Sequence, residues 1–239
     1  MERYSVYFKW SAVLLFLYAV VTLAAWVALA AGMGWPPLSA GPASSVQTLD
    51  AYASGGMTAY NVLTYISFFL VVPALPAMFL LLFQKFPGLA VSGLTLGSIS
   101  YVLAMLDVFV ATGAGATAGG SLAETAFVGT LTRGDLTLTL DTIAAQFFVP
   151  SLWFGILFTL VWGAGYSRLA GVARWAGAGM LASVFFAFVT FAGFFIGSGV
   201  IANLGVLAQT VAAAAAFGLA GIALRTNSRI LKARDKDPS

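Results

Sequence analysis

The chain reads as an all-α polytopic membrane bundle with six transmembrane helices, both termini cytoplasmic, and short interfacial helices in its two long outer loops. Three observations carry that reading. First, 61% of the 239 residues are hydrophobic and 8% are charged, at a mean hydropathy of +0.97, whereas soluble domains carry about 25% charged residues. Second, six runs approach or exceed the ~20 apolar residues a helix needs to cross a bilayer. They are residues 10–31, 60–83, 89–111, 142–164, 175–196 and 200–224, and they are too long for membrane strands. Third, Arg3, Lys9, Lys85, Arg168, Arg174, Arg225, Arg229, Lys232, Arg234 and Lys236 fall on one side of those runs and Arg133 alone on the other. The positive-inside rule then puts both termini inside.

Each run has its own local signals. The first follows Arg3 and Lys9, and Ala28-Leu29-Ala30 resembles a signal-peptide cleavage site. It is longer than the about 7–15 apolar residues of a signal peptide, so it reads as a retained helix. Pro36-Pro37 stops it. Ser44 and Gln47 have capping-box spacing, and Gly55-Gly56 closes a short surface helix near residues 45–54. The second run carries Pro73 and Pro76, which predict kinks. A short inner turn with Lys85 and Pro87 makes the third run its antiparallel neighbour.

In the third run Gly93, Gly97, Ser100, Ala104, Asp107 and Ala111 repeat at helical spacing. Small residues on one face let membrane helices approach closely. A Gly/Ala tract over residues 113–120 then reads as loop. Ser121 and Glu124 signal an interfacial helix near residues 122–131, and Arg133-Gly134-Asp135 reads as a turn. Asp141 fits a helix N-cap for the fourth run, which Pro150 should kink. The fifth run repeats the seam with Gly179, Ser183, Ala187, Thr190, Gly193 and Gly197, and sets Phe188, Phe191 and Phe195 toward lipid or a partner. A tight turn at residues 197–199 leads to the sixth run. The basic tail 225–239 suits anionic headgroups. The whole of 1–239 reads as one transmembrane domain. Trp10, Trp162, Tyr166 and Trp175 form an inner aromatic belt, and Trp35, Tyr52 and Tyr60 an outer one.

The chemistry is bounded by omission. With no His and no Cys, His-ligated haem, thiolate clusters, ordinary zinc sites, Cys nucleophiles and His-based triads are excluded. The runs hold no pair of aspartates for an aspartyl mechanism and no lysine for a Schiff base. No Gly-rich phosphate loop with lysine occurs. The expectation is a protein that is not an enzyme and uses no cofactor and no metal.

One charged residue, Asp107, lies inside a run. An acid in hydrocarbon costs at least about 2.5–3.5 kcal/mol and marks a site by default. Asn61, Thr64, Tyr65, Gln146, Asn203 and Gln209 fall at comparable depth from the outer side, or a little deeper. Together they predict an outward polar pocket suited to cation or proton coupling, or to hydrogen bonding with a ligand. The structural alternative stays open: an interhelical hydrogen bond, or an ion pair with Arg133.

The layout resembles a group of six-helix prokaryotic membrane proteins catalogued as a domain of unknown function. Its long loops after the first and third helices, the turn Lys85-Phe86-Pro87-Gly88, and Tyr166-Ser167-Arg168-Leu169 with Val172-Ala173-Arg174-Trp175 carry the likeness. The resemblance implies a prokaryotic cytoplasmic (inner) membrane and no particular activity. Two functional readings follow. The first is a non-enzymatic protein acting by helix association, as an accessory or assembly subunit, motivated by the small-residue seams and the Phe face. The second is a small-solute, cation or proton-coupled transporter or ligand-binding protein built around Asp107. Expected partners are membrane lipids and a membrane protein or a second copy of the chain. The basic residues are too thinly spread for nucleic acid.

Overall fold

The computed structural model describes residues 2–33, 50–51, 53–118 and 133–236, with side chains described over 5–31, 50–51, 53–116 and 135–228. All the described structure is helical. Helix α1 is Glu2–Met33, α2 is Gly55–Val71, α3 is Leu75–Phe83, α4 is Pro87–Ala118, α5 is Arg133–Tyr166, α6 is Val172–Phe195 and α7 is Gly199–Lys236. A single 3-10 turn, Val72–Ala74, joins α2 to α3, so the two make one broken span. Six helices are long and apolar enough to cross a membrane. The protein is therefore a multi-pass helical membrane protein.

The spans form a ring. Each packs against its neighbours in sequence, and α7 packs back on α1 to close the circuit. One end, the terminal end, carries the start of α1, the end of α7 and the turns at 84–86 and 167–171. The other, the loop end, carries the two long connections and the tight turn at 196–198. The terminal half is filled by a continuous core that includes Leu15, Met78, Leu82, Trp162, Tyr166, Met180 and Leu224, none more than 1% exposed.

On α4, Gly93 and Gly97 of the small-residue stripe lie against α5, while Ala104, Asp107 and Ala111 line cavities. A Cβ at Gly93 would overlap the Trp162 indole, and one at Gly97 would meet Phe158 at 2.8 Å. Tyr101, Phe158, Trp162 and Tyr166 form a chain of ring contacts at 4.9–6.1 Å. Trp162 Nε1 donates to the Ala90 carbonyl at 3.3 Å and Tyr166 Oη to the Met78 carbonyl at 2.8 Å. Trp162 and Tyr166 are thus core residues, a correction to their place in the inner belt. The α5 helix runs two residues past the expected span end, and Leu169 of the turn beyond it joins the same buried core. Trp10 and Trp175, 64% and 67% exposed, do face outward.

The second seam joins α6 to α7. Gly179 lies against Ala216, Gly193 against the Ala202 backbone, and Thr190 against Gly205, while Ser183 is buried with its hydroxyl on the Met180 carbonyl at 2.8 Å. Gly197 is not part of it. It is exposed at φ +71°, and it is the turn residue between the helices. Phe188 and Phe195 are exposed as expected, but Phe191 turns inward and stacks on Trp153 at 5.4 Å.

Other boundaries shift. The Gly/Ala tract is helical through Ala118, because four alanines at 111–118 sustain the helix that the glycines weaken. Arg133-Gly134-Asp135 begins α5 and is not a turn, so Asp141 lies two turns inside the helix and is not an N-cap. Pro73 and Pro76 give the 3-10 break; Pro150 sits inside a continuous α5. The interfacial helices near residues 45–54 and 122–131 fall almost wholly outside the described residues, as do Trp35 and Tyr52.

Candidate functional site

The loop-end half of the ring is not filled. It encloses a cavity of about 550 Å³ to which all six spans contribute, within the about 300–1,000 Å³ of small-molecule sites. Trp26 and Leu29 come from α1; Met57, Tyr60 and Asn61 from α2; Asp107 and Ala111 from α4. Phe148 and Leu152 come from α5; Ala187, Thr190, Phe191 and Phe194 from α6; Val206, Gln209 and Thr210 from α7. The helix spacing explains the convergence. Asp107 and Ala111 are one turn apart, as are Phe148 and Leu152, Ala187 and Phe191, and Val206 and Thr210, so each helix presents a single stripe.

The polar groups in this lining fall into two kinds. Thr190 and Thr210 are satisfied within their own helices, donating to the Phe186 and Val206 carbonyls at 3.0 and 2.9 Å. Asp107, Asn61 and Gln209 are not: among the described residues none of their side chains makes a hydrogen bond or an ion pair. Asn61 is only 4% exposed. A buried amide without a partner costs about 1–3 kcal/mol, so Asn61, with the half-buried Asp107 and Gln209 facing the same space, indicates that something polar belongs there. Asp107 interacts through its charge with Asp141 and Tyr60. The side chain of Arg133 lies outside the described residues.

A smaller cavity of about 200 Å³ continues toward the terminal end, sharing Leu152, Ala187 and Gln209 with the first. Its hydroxyls are occupied. Ser100 Oγ donates to the Ser151 carbonyl at 2.8 Å, Ser151 to Phe148, Thr159 to Gly155, and Ser183 to Met180. Ala104 and Tyr101 line it from the α4 seam.

Of the residues read from sequence as a pocket, Asp107, Asn61 and Gln209 line one cavity. Thr64, Tyr65, Gln146 and Asn203 do not. Gln146 is exposed on the outside of α5. Two residues separate it from Phe148, about 200° around the helix axis. Asn203 is fully buried, but its Nδ2 donates to the Gly199 carbonyl of its own helix at 2.6 Å. Tyr65 packs edge-on to Phe69 at 5.0 Å, and the Thr64 carbonyl accepts from Ser67 at 2.7 Å. Sequence reasoning missed Tyr60, assigned to a belt, and Thr190, assigned to a seam. It also missed the aromatic lining of Trp26, Phe148 and Phe191. The signal for Tyr60 was its position directly before Asn61.

No family model, no curated protein and no solved structure matches the chain. The site is read from its own chemistry.

Proposed function

We propose that this protein binds a small solute in the cavity around Asp107, as a non-enzymatic membrane receptor or transporter, with the cavity on the outer side of a prokaryotic cytoplasmic membrane. One observation carries the reading: a cavity of about 550 Å³ lined by every span, which Asp107, Asn61 and Gln209 line with no hydrogen bond or ion pair of their side chains among the described residues. The sidedness rests on the basic residues, since Lys9, Lys85, Arg168, Arg174 and Arg225 all lie toward the terminal end. The alternative, action by helix association, keeps the exposed Phe188 and Phe195 but not the seams: Gly93, Gly97, Gly179 and Gly193 face neighbours within the same chain.

Native mass spectrometry of the protein extracted in mild detergent tests this. Wild type is expected to carry a small molecule. Thr210→Phe, which places a ring in the cavity, is expected to lose it while melting at a similar temperature. A heteromeric complex with no bound small molecule would overturn the proposal in favour of association.

A further inference from the structure

The cavity's lining narrows what it can hold, given that it is a binding site as proposed above. No Lys or Arg contributes to it among the described residues, so an anion would meet only Asp107 and find no counter-charge. A bare metal ion is also a poor fit. Ca²⁺ takes about 6–8 oxygen ligands and Mg²⁺ an octahedron. The space holds one carboxylate and two carboxamides at its unsatisfied positions, and no group of three acidic ligands occurs among the described residues. A neutral apolar molecule would leave Asp107, Asn61 and Gln209 buried and unpaired. What satisfies all three is a cation with an apolar body: its charge meets Asp107, the two amides take its polar substituents or bound water, and its carbon surface meets Trp26, Tyr60 and Phe191. Aromatic rings are favourable surroundings for an ammonium group, which the quadrupole of the ring attracts.

We infer that the cavity is an organic-ammonium site, with Asp107 as the counter-charge, Asn61 and Gln209 as its hydrogen-bonding groups, and the aromatic lining as its wall. Asn61 is the observation independent of the charge, a side chain 4% exposed that faces the cavity with no partner among the described residues.

The test uses the full chain in nanodiscs of phosphatidylglycerol, a lipid with no ammonium group. Tetramethylammonium, choline and phenyltrimethylammonium are titrated, alongside 3,3-dimethylbutan-1-ol, the uncharged carbon isostere of choline. Calorimetry and tryptophan fluorescence report binding. Choline is expected to bind about ten- to a hundredfold tighter than its isostere, the range of one hydrogen bond or contact to a charged group. Asp107→Asn should close that gap, whereas Asn61→Ala should weaken both ligands alike. If the alcohol binds as tightly as choline, the ammonium assignment is overturned and the binding site stands. If no ammonium and no alcohol binds, both fall. An Asp107→Asn variant that still prefers choline would overturn the assignment of the charge to Asp107.

Discussion

Gly93 and Trp162 show how a single residue sets the packing of two helices. The indole lies where a Cβ at position 93 would be, and its Nε1 reaches the Ala90 carbonyl across the same contact. Gly93→Ala must therefore move a fully buried ring. It is expected to cost about 1–3 kcal/mol, the usual penalty for overpacking. Gly88, on the same helix with nothing within 4 Å, is the control: Gly88→Ala should be neutral or slightly stabilising, since alanine favours helix. Thermal unfolding of both variants in one detergent checks this, and equal melting temperatures would contradict the packing account. The glycine stripe was legible because small residues at helical spacing leave a mark in one segment. Its filler was not, because complementarity of shape between Gly93 and Trp162 leaves no mark in either segment alone. Trp162 looked interfacial because an apolar window ended two residues beyond it.

At the scale of the element, the α6–α7 hairpin separates two uses of glycine. Gly193 and Gly205 let the backbones touch, against Ala202 and Thr190. Gly197 supplies the left-handed turn and meets nothing within 4 Å. Gly197→Ala should thus cost about 1–2 kcal/mol through backbone strain alone and leave the cavity unchanged. Gly205→Ala, whose Cβ would come within 2.6 Å of Thr190, should push α6 off α7 and alter ligand binding as well as melting. Measuring both properties on both variants separates the two roles; a Gly197→Ala variant that loses binding at normal stability would break the distinction. The turn itself was readable from Gly197-Ser198-Gly199. The extra turns of α4 and α5 were not, since hydropathy marks where a helix leaves the apolar layer and not where its hydrogen bonds stop.

Across the whole molecule, the asymmetry between a filled terminal half and a hollow loop half puts stability and binding in opposition at Asp107. Depth, with the small-residue face for Asp107, brought Asp107, Asn61 and the somewhat deeper Gln209 into one expected pocket, because helices in a ring share a level when their residues are similarly far from the same end. Depth cannot give rotation, so Gln146, at a similar level on α5, faces outward. The closure of α7 on α1 was equally hidden, since no short turn links them. The ring also decides between the two roles left open for Asp107. If the carboxylate holds helices together, removing it should destabilise the protein by about 0.6 kcal/mol, the average for interhelical hydrogen bonds, and by at most about 1.7 kcal/mol. If it waits for a ligand, it is a cost in the empty protein, up to about 2.5–3.5 kcal/mol for an acid at a span centre and less near an end. Among the described residues Asp107 has no hydrogen bond or ion pair to lose, and the charge it feels from Asp141 is a like charge. Asp107→Leu is therefore expected to raise the melting temperature of the ligand-free protein while abolishing ammonium binding, the trade of activity for stability common at binding sites. A lower melting temperature in that variant would make Asp107 a structural residue and leave the cavity without its defining charge.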